Sequence, residues 1–284
     1  VSDEVRKEET VIAYELGTFM VKHLVLPAVL GRPGWESLRP DCEERIELIR
    51  DVTAENIGVG TSQLCELIRM IPCQITLDQV RKRCASTGSA ARYDAFEHDE
   101  ITGRFTQITR DYPIFLRRRF VFGLAEQERA HAVFDLLQDA DMESVFELVR
   151  CSHQGDRDLE VSDDMLAEVA RASAEAGTDR RSRALAHLSG GYGRMRPEYE
   201  RVRVAINDFL WEHGGRKSGA IQRLGAGWGG QVGGLIHEDF VTGEDGARLQ
   251  EFMEQELGLK AVLRQSVVSP GAGACLLSPP ETKA

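Results

Sequence analysis

The sequence predicts an α+β protein: a helical N-terminal part, then a small antiparallel sheet backed by helices. Three observations predict it. Before position 214 the apolar residues recur mostly at three- and four-residue steps, the period of a helix with one buried face. Beyond it they gather in short runs, Ala220 to Leu224, Val232 to Ile236, Ala261 to Val268 and Ala274 to Leu277. Nine of the 27 glycines fall between Gly214 and Gly234, where several separate the first two runs. The final part therefore reads as strand, glycine loop, strand, helix, strand, strand.

Each element has a local reason. Val11, Tyr14, Leu16, Phe19, Met20, His23 and Leu24 share one face of a first helix, which Gly31-Arg-Pro-Gly34 breaks. Cys42 to Val52 reads as a shorter helix. Thr61 or Ser62 caps a helix through Met70, ended before Pro72, and Thr76 caps one from Leu77 to Cys84. Ala85 to Asp111 is polar and weakly periodic, so it reads as loop with short pieces. A long helix follows, carrying Phe120, Leu124, Glu128, His131, Phe134 and Leu137. Asp141 caps the next, with Val145, Phe146, Leu148 and Val149, and Ser162 caps a third, with Met165, Leu166, Val169 and Ala170. Gly177 to Arg183 is an arginine-rich loop. Pro197 opens a helix running to Trp211, and His213-Gly-Gly215 stops it. Leu249, Phe252, Met253 and Leu257 mark a last helix, bounded by Gly258. The expected division is a mainly helical segment over 1–110 and an α+β domain over 111–284.

The chain has 284 residues, room for one large domain or two modest ones. With 35 Lys and Arg against 46 Asp and Glu, the net charge of −11 excludes a general nucleic-acid binder. It leaves a nucleotide open, because backbone N–H groups can hold a phosphate locally. The longest apolar stretch, Val21 to Leu30, is broken by Lys22, His23 and Pro27, so no membrane span is expected. The opening residues VSDEVRKEE are charged and lack the apolar region of a signal peptide. Cys42, Cys65, Cys73, Cys84, Cys151 and Cys275 form no CxxC pair and no metal-ligand spacing, so they read as reduced thiols. A cytoplasmic protein with no membrane or nucleic-acid partner is expected.

The chemistry concentrates at Leu224-Gly-Ala-Gly-Trp-Gly-Gly230, a run whose backbone a phosphate or another chain segment can approach closely. It has no Walker spacing, and a strand rather than a helix follows it, so it is no dinucleotide fingerprint. Gly219-Ala-Ile-Gln-Arg-Leu-Gly-Ala-Gly-Trp-Gly-Gly230 with Val232-Gly-Gly-Leu-Ile236 resembles the third motif of the galacto-, homoserine, mevalonate and phosphomevalonate (GHMP) kinases, in its galactokinase form. Arg119-Phe-Val-Phe-Gly-Leu-Ala-Glu-Gln-Glu-Arg129 is similar to the long galactokinase helix with an E-x-x-R stretch. Phe146-Glu-Leu-Val-Arg-Cys-Ser-His153 resembles the family's Ser-His segment, and Val267 to Leu277 its terminal strand. The resemblance covers roughly residues 111 to 277. Ala13-Tyr14 resembles the start of a family helix whose tyrosine contacts the sugar.

The resemblance implies the C-terminal, ferredoxin-like α+β domain of a GHMP kinase. The implied reaction is transfer of the ATP γ-phosphate to the anomeric hydroxyl of a galactose-like sugar, with ATP and Mg2+ as cofactors. It implies an active-site loop of Gly225, Ala226, Gly227, Trp228, Gly229 and Gly230 and a substrate contact at Tyr14. Leu224 stands where the family has threonine, Gln222 where it has arginine, and Trp228 where it has phenylalanine. The family's Gly-Arg-x-Asn sugar segment, its Gly-Leu-Ser-Ser-Ser phosphate loop and its Met-Asp-Gln aspartate have no counterpart here. The expectation is therefore a C-terminal part whose nucleotide-binding half is a partner, inactive alone, with catalytic residues undefined. The alternative is a non-catalytic sugar-binding or regulatory module of the same fold.

Other candidates have plainer readings. Gly58-Val-Gly-Thr-Ser62 echoes a phosphate loop but reads as a helix cap. Ser152 and His153 are adjacent on a helix and point apart, so they form no dyad. Asp156, Asp158, Glu160, Asp163 and Asp164 read as a solvated cap rather than a cation site. Arg117-Arg-Arg119 and Arg180-Arg-Ser-Arg183 read as solvated faces.

Overall fold

The computed structural model describes residues 3–157, 159–175, 184–193, 197–223 and 232–259. Val1–His237 form one compact unit and Glu238–Ala284 a second. The first unit opens with α1 (Asp3–Met20), a π-helical turn (Val21–Val25) and α2 (Leu26–Val29). Then come α3 (Ala54–Ile57), α4 (Thr61–Met70), α5 (Leu77–Ser86), α6 (Ala90–Phe96) and a second π turn (Glu97–Ile101). The 23-residue α7 (Leu116–Gln138) is followed by α8 (Met142–Gly155), α9 (Asp163–Glu175) and α10 (Pro197–Gly214). Strands β1 (Gly219–Arg223) and β2 (Val232–Ile236) pair antiparallel in a two-stranded sheet. The second unit holds α11 (Glu238–Thr242) and α12 (Glu244–Gln255), packed on each other with Phe240, Leu249 and Met253 buried. The mixture of helices with a small antiparallel sheet is α+β, as the sequence predicts. The apolar runs at 261–268 and 274–277 lie outside the described residues.

Three caps act where the sequence places them, whereas α4 is capped by Gly60 and not by Thr61 or Ser62, which lie inside the helix. Thr76 and Gln79 form a reciprocal capping box, the Asp141 carboxylate accepts from Ser144 N at 3.2 Å, and Ser162 Oγ accepts from Met165 N at 3.2 Å. Gly58, at φ +81°, ends α3, and Gly60 opens α4 with the Gln63 side chain on its amide. The echo of a phosphate loop at 58–62 is thus two helix caps.

Two expectations change. Cys42 to Val52 forms turns and a 3-10 turn at Ile49–Asp51. The Asp51 carboxylate accepts from the amides of Glu47 and Leu48, drawing those donors out of a helical ladder. Within Ala85 to Asp111, α6 and its π turn form because Tyr93 and Phe96 pack on Phe19, with Phe96 stacked at 4.6 Å. On α7, Phe120, Leu124, Ala132 and Leu136 are buried, whereas Phe134 and Leu137 face solvent.

The core is built on the crossing of α1 with α7, so it runs without a break across position 110. The contact is reciprocal. Gly17 of α1 lies under the Phe120 ring, and a Cβ there would overlap it; Gly123 of α7 lies under Ile49 and the Tyr14 ring, at 2.6 and 3.0 Å from where its Cβ would be. Each helix offers a glycine to the other's aromatic. The segment Glu4–Val29 is long and apolar enough to cross a membrane by length and composition, and Ile12, Ala13, Leu16 and Met20 of it are buried in this core. Replacing Gly17 by alanine forces the two helices apart. Urea unfolding of Gly17→Ala is expected to show a loss of about 1–3 kcal/mol, the usual cost of overpacking; an unchanged midpoint would remove the crossing from this account.

Candidate functional site

The glycine-rich segment is held between two strands of known register. Arg223 pairs with Val232, so residues 224–231 join the two strands where that pair closes the ladder. Gly225, Ala226, Gly227, Trp228, Gly229 and Gly230 themselves lie outside the described residues. What the structure defines is their footing. Helices α8 and α10 both pack on β1, and Ala220 and Ile221 are buried there. The side chain of Asn207, in α10, bonds both backbone groups of Ile221: Nδ2 donates to the carbonyl at 2.9 Å and Oδ1 accepts from the amide at 2.8 Å. One turn on, Trp211 Nε1 donates to Gly219 O at 3.2 Å. Ser218 Oγ donates to Leu210 O at 2.6 Å. Arg150 of α8 donates to Asn207 O, pairs with Asp208 at 2.9 Å and stacks over the Trp211 ring at 3.5 Å.

Behind this layer lies a buried polar cluster. His153 of α8 is fully buried, with Nε2 3.3 Å from Glu200 and Nδ1 3.6 Å from Asp156. Glu200 of α10 also pairs with Arg203 at 3.0 Å and Arg157 at 3.6 Å. The imidazole thus links α8 to α10 through carboxylates, and its burial makes it a strut rather than a surface-accessible base. Ser152 takes no part in these contacts.

The arginine triplet departs most from expectation. Arg117, Arg118 and Arg119 are buried, not solvated. Arg117 donates to Arg69 O and Ile71 O at the end of α4 and pairs with Asp163 at the start of α9. Arg118 pairs with Glu160 and lies over the Phe115 ring at 3.8 Å. Arg119 pairs with Glu9 and donates to Tyr192 O. The acidic run supplies these partners: Glu160 and Asp163 are counter-ions of α7, and Asp156 faces His153. Asp158 and Arg180–Arg183 lie outside the described residues. No group of three or more metal-ligating side chains occurs among the described residues.

Tyr14 is half-buried on α1, its ring over Gly123, so the structure places it at the α1–α7 crossing. Near the other end of α1, Glu4, Lys7, Glu8 and Val11 with Arg104 to Gln107 line an open cavity of about 440 Å³. The Glu8 carboxylate there is taken by the amides of Thr106 and Gln107.

Asn207 is not among the residues the sequence singles out, and the arginine triplet reads there as a solvated face. A signal existed for Asn207: it shares a helical stripe with the buried Arg203 and Leu210, and a buried amide must find partners. For the triplet no spacing distinguishes a solvated arginine from a paired one. Compared with protein-family models, with characterised proteins and with solved structures, the chain matches none.

Cys42, Cys65, Cys73, Cys84 and Cys151 are free thiols, and Cys275 lies outside the described residues. Burial pushes the Cys65 and Cys84 thiols up to about 11. At pH 8 a thiol reagent is expected to label the exposed Cys73 in the native protein and to reach Cys65 and Cys84 only in denaturant. Peptide mapping that found Cys65 or Cys84 labelled as fast as Cys73 would contradict the packing of α4 and α5.

Proposed function

We propose that this chain is the C-terminal part of a sugar kinase of galactokinase type, acting on the anomeric hydroxyl of a galactose-like sugar. One observation carries the reading. Three of the stretches that resemble the family, 119–129 on α7, 146–153 on α8 and the strands 219–223 and 232–236, are neighbours in the order of packing: α7 packs on α8, and α8 packs on β1. Separate motifs on elements packed in succession suit a shared domain better than a set of independent turns. In this proposal the hairpin belongs to the ferredoxin-like domain of the GHMP kinases. The backbone of Gly225 to Gly230 lines the cleft, and Tyr14 contacts the sugar.

The nucleotide is a different matter. Gly58 and Gly60 are spent on helix caps, and Thr61 and Ser62 form the first turn of α4. The proposal therefore assigns ATP and Mg2+ to the family's nucleotide-binding half, and no step is derived through them. This chain contributes position: in phosphoryl transfer the protein mainly holds the reactants in line, and a displacement near 1 Å costs about 10²-fold in rate.

The test is sugar-dependent ADP release, assayed for the complete protein and for these 284 residues alone, over a panel of free aldohexoses. The complete protein is expected to turn over and this chain alone is not. Gly227→Ala is expected to lower kcat in folded protein, and Tyr14→Phe to raise the sugar KM. Sugar binding without turnover by the complete protein would overturn the kinase in favour of a binding module.

A further inference from the structure

We infer that Asn207 is the positioning residue of the hairpin: its amide stands in for a neighbouring strand on the outer edge of β1 and fixes the register in which β1 lies on α10. In an antiparallel ladder a residue offers its N–H and C=O to the same side and is met there by one residue of the next strand. Ile221 is met in that way by a side chain. Asn207, itself 0% exposed, donates to its carbonyl and accepts from its amide. Trp211 takes the carbonyl of Gly219, which lies on the same edge two residues earlier. Residues 219 and 221 therefore face α10, and alternation turns Ala220 and Gln222 toward β2.

Two consequences follow from the geometry. The outer edge of β1 is closed to a further strand, because both backbone groups of Ile221 and the carbonyl of Gly219 are already bonded to α10. The register of β1 against α10 is also fixed, because a slip of one residue would turn Ala220 or Gln222 to the amide and the apolar residues to the wrong face. The support is itself held from behind, where Arg150 binds the Asn207 carbonyl and stacks on Trp211. An amide suits this task because it carries one donor and one acceptor group on one rigid plane. A carboxylate would oppose the Ile221 carbonyl, and a hydroxyl is too short to bridge both groups.

The kinetic consequence rests on the proposed kinase reading; the structural one does not. The experiment is hydrogen exchange read by mass spectrometry, with kinetics, on Asn207→Leu and Asn207→Ser. Leucine keeps the volume of Asn207 and loses both bonds. Asn207→Leu is expected to speed exchange in peptides spanning 219–236 about tenfold, with α1, α4 and α7 unchanged. In the active protein kcat is expected to fall about tenfold or more, with the sugar KM within about twofold. Wild-type exchange across 219–236 in folded Asn207→Leu would overturn the inference, and so would faster exchange with unchanged kcat. If Asn207→Leu does not fold, Asn207→Ser, too short to reach both groups of Ile221, decides: faster exchange across 219–236 supports the inference and unchanged exchange overturns it. Faster exchange in a wild-type background that shows no turnover with any sugar sinks the kinase reading and leaves the edge closure supported.

Discussion

The ion pair between Glu9 and Arg119 anchors the first unit. Both side chains are nearly inaccessible, at 2% and 3% exposure, and the guanidinium meets the carboxylate at 2.8 Å. The same carboxylate accepts from the amide of Phe115, the residue that opens α7, at 2.9 Å. A negative charge therefore sits at the positive end of a 23-residue helix, where the backbone N–H groups have no partner of their own. A buried pair of this kind adds little net stability, because desolvation offsets most of the attraction. Its effect is specificity: with both charges inside, no other register of α1 on α7 leaves them paired. The glycines then let the helices close, Gly17 beneath Phe120 and Gly123 beneath Tyr14.

From α7 the order spreads through carbonyl groups caught by arginines. Arg119 holds Tyr192 O, Arg129 holds the carbonyls of Ala186 and Leu188, and Arg6 holds Gly193 O. The segment 184–193 is thereby pinned between α1, α7 and α8, with Tyr192 stacked on Phe122 at 4.9 Å. Arg117 binds the last carbonyls of α4 and the first acid of α9, so the α4–α9 pair is set by the same helix turn. On the far side, α8 leans on β1 and reaches α10 through His153 and Arg150. The hairpin that carries the glycine-rich connection thus rests on a scaffold fixed by buried charge as much as by apolar packing.

Helices with strong periodicity and a cap were legible in the sequence. Thr76, Asp141 and Ser162 cap the helices they were read to cap, and β1 and β2 form where the short apolar runs lie. What was not legible needed a side-chain partner that no periodicity shows, local in one case and distant in the others. The Cys42–Val52 pattern gave way to the Asp51 carboxylate, and α6 formed in a polar stretch because Phe19 was there to receive Phe96. The arginine triplet looked solvated alone; it is buried, with Arg117 and Arg118 paired to the exposed Asp163 and Glu160 across more than forty positions of sequence and Arg119 paired to Glu9. Of the site, the hairpin footing was readable from the glycine run and its flanking strands. Asn207 was not, since its role depends on a carbonyl and an amide fourteen positions away.

The claim that buried charge sets this architecture is tested most directly by a double-mutant cycle on Glu9→Gln and Arg119→Met, followed by urea unfolding. Each single variant leaves a buried group without its partner and is expected to cost about 3–5 kcal/mol. The double variant removes both and is expected to cost less than the sum of the two, by about 2 kcal/mol or more. Single losses that add to within about 0.5 kcal/mol would show that the two groups act independently. The pair would then not be what fixes α1 on α7.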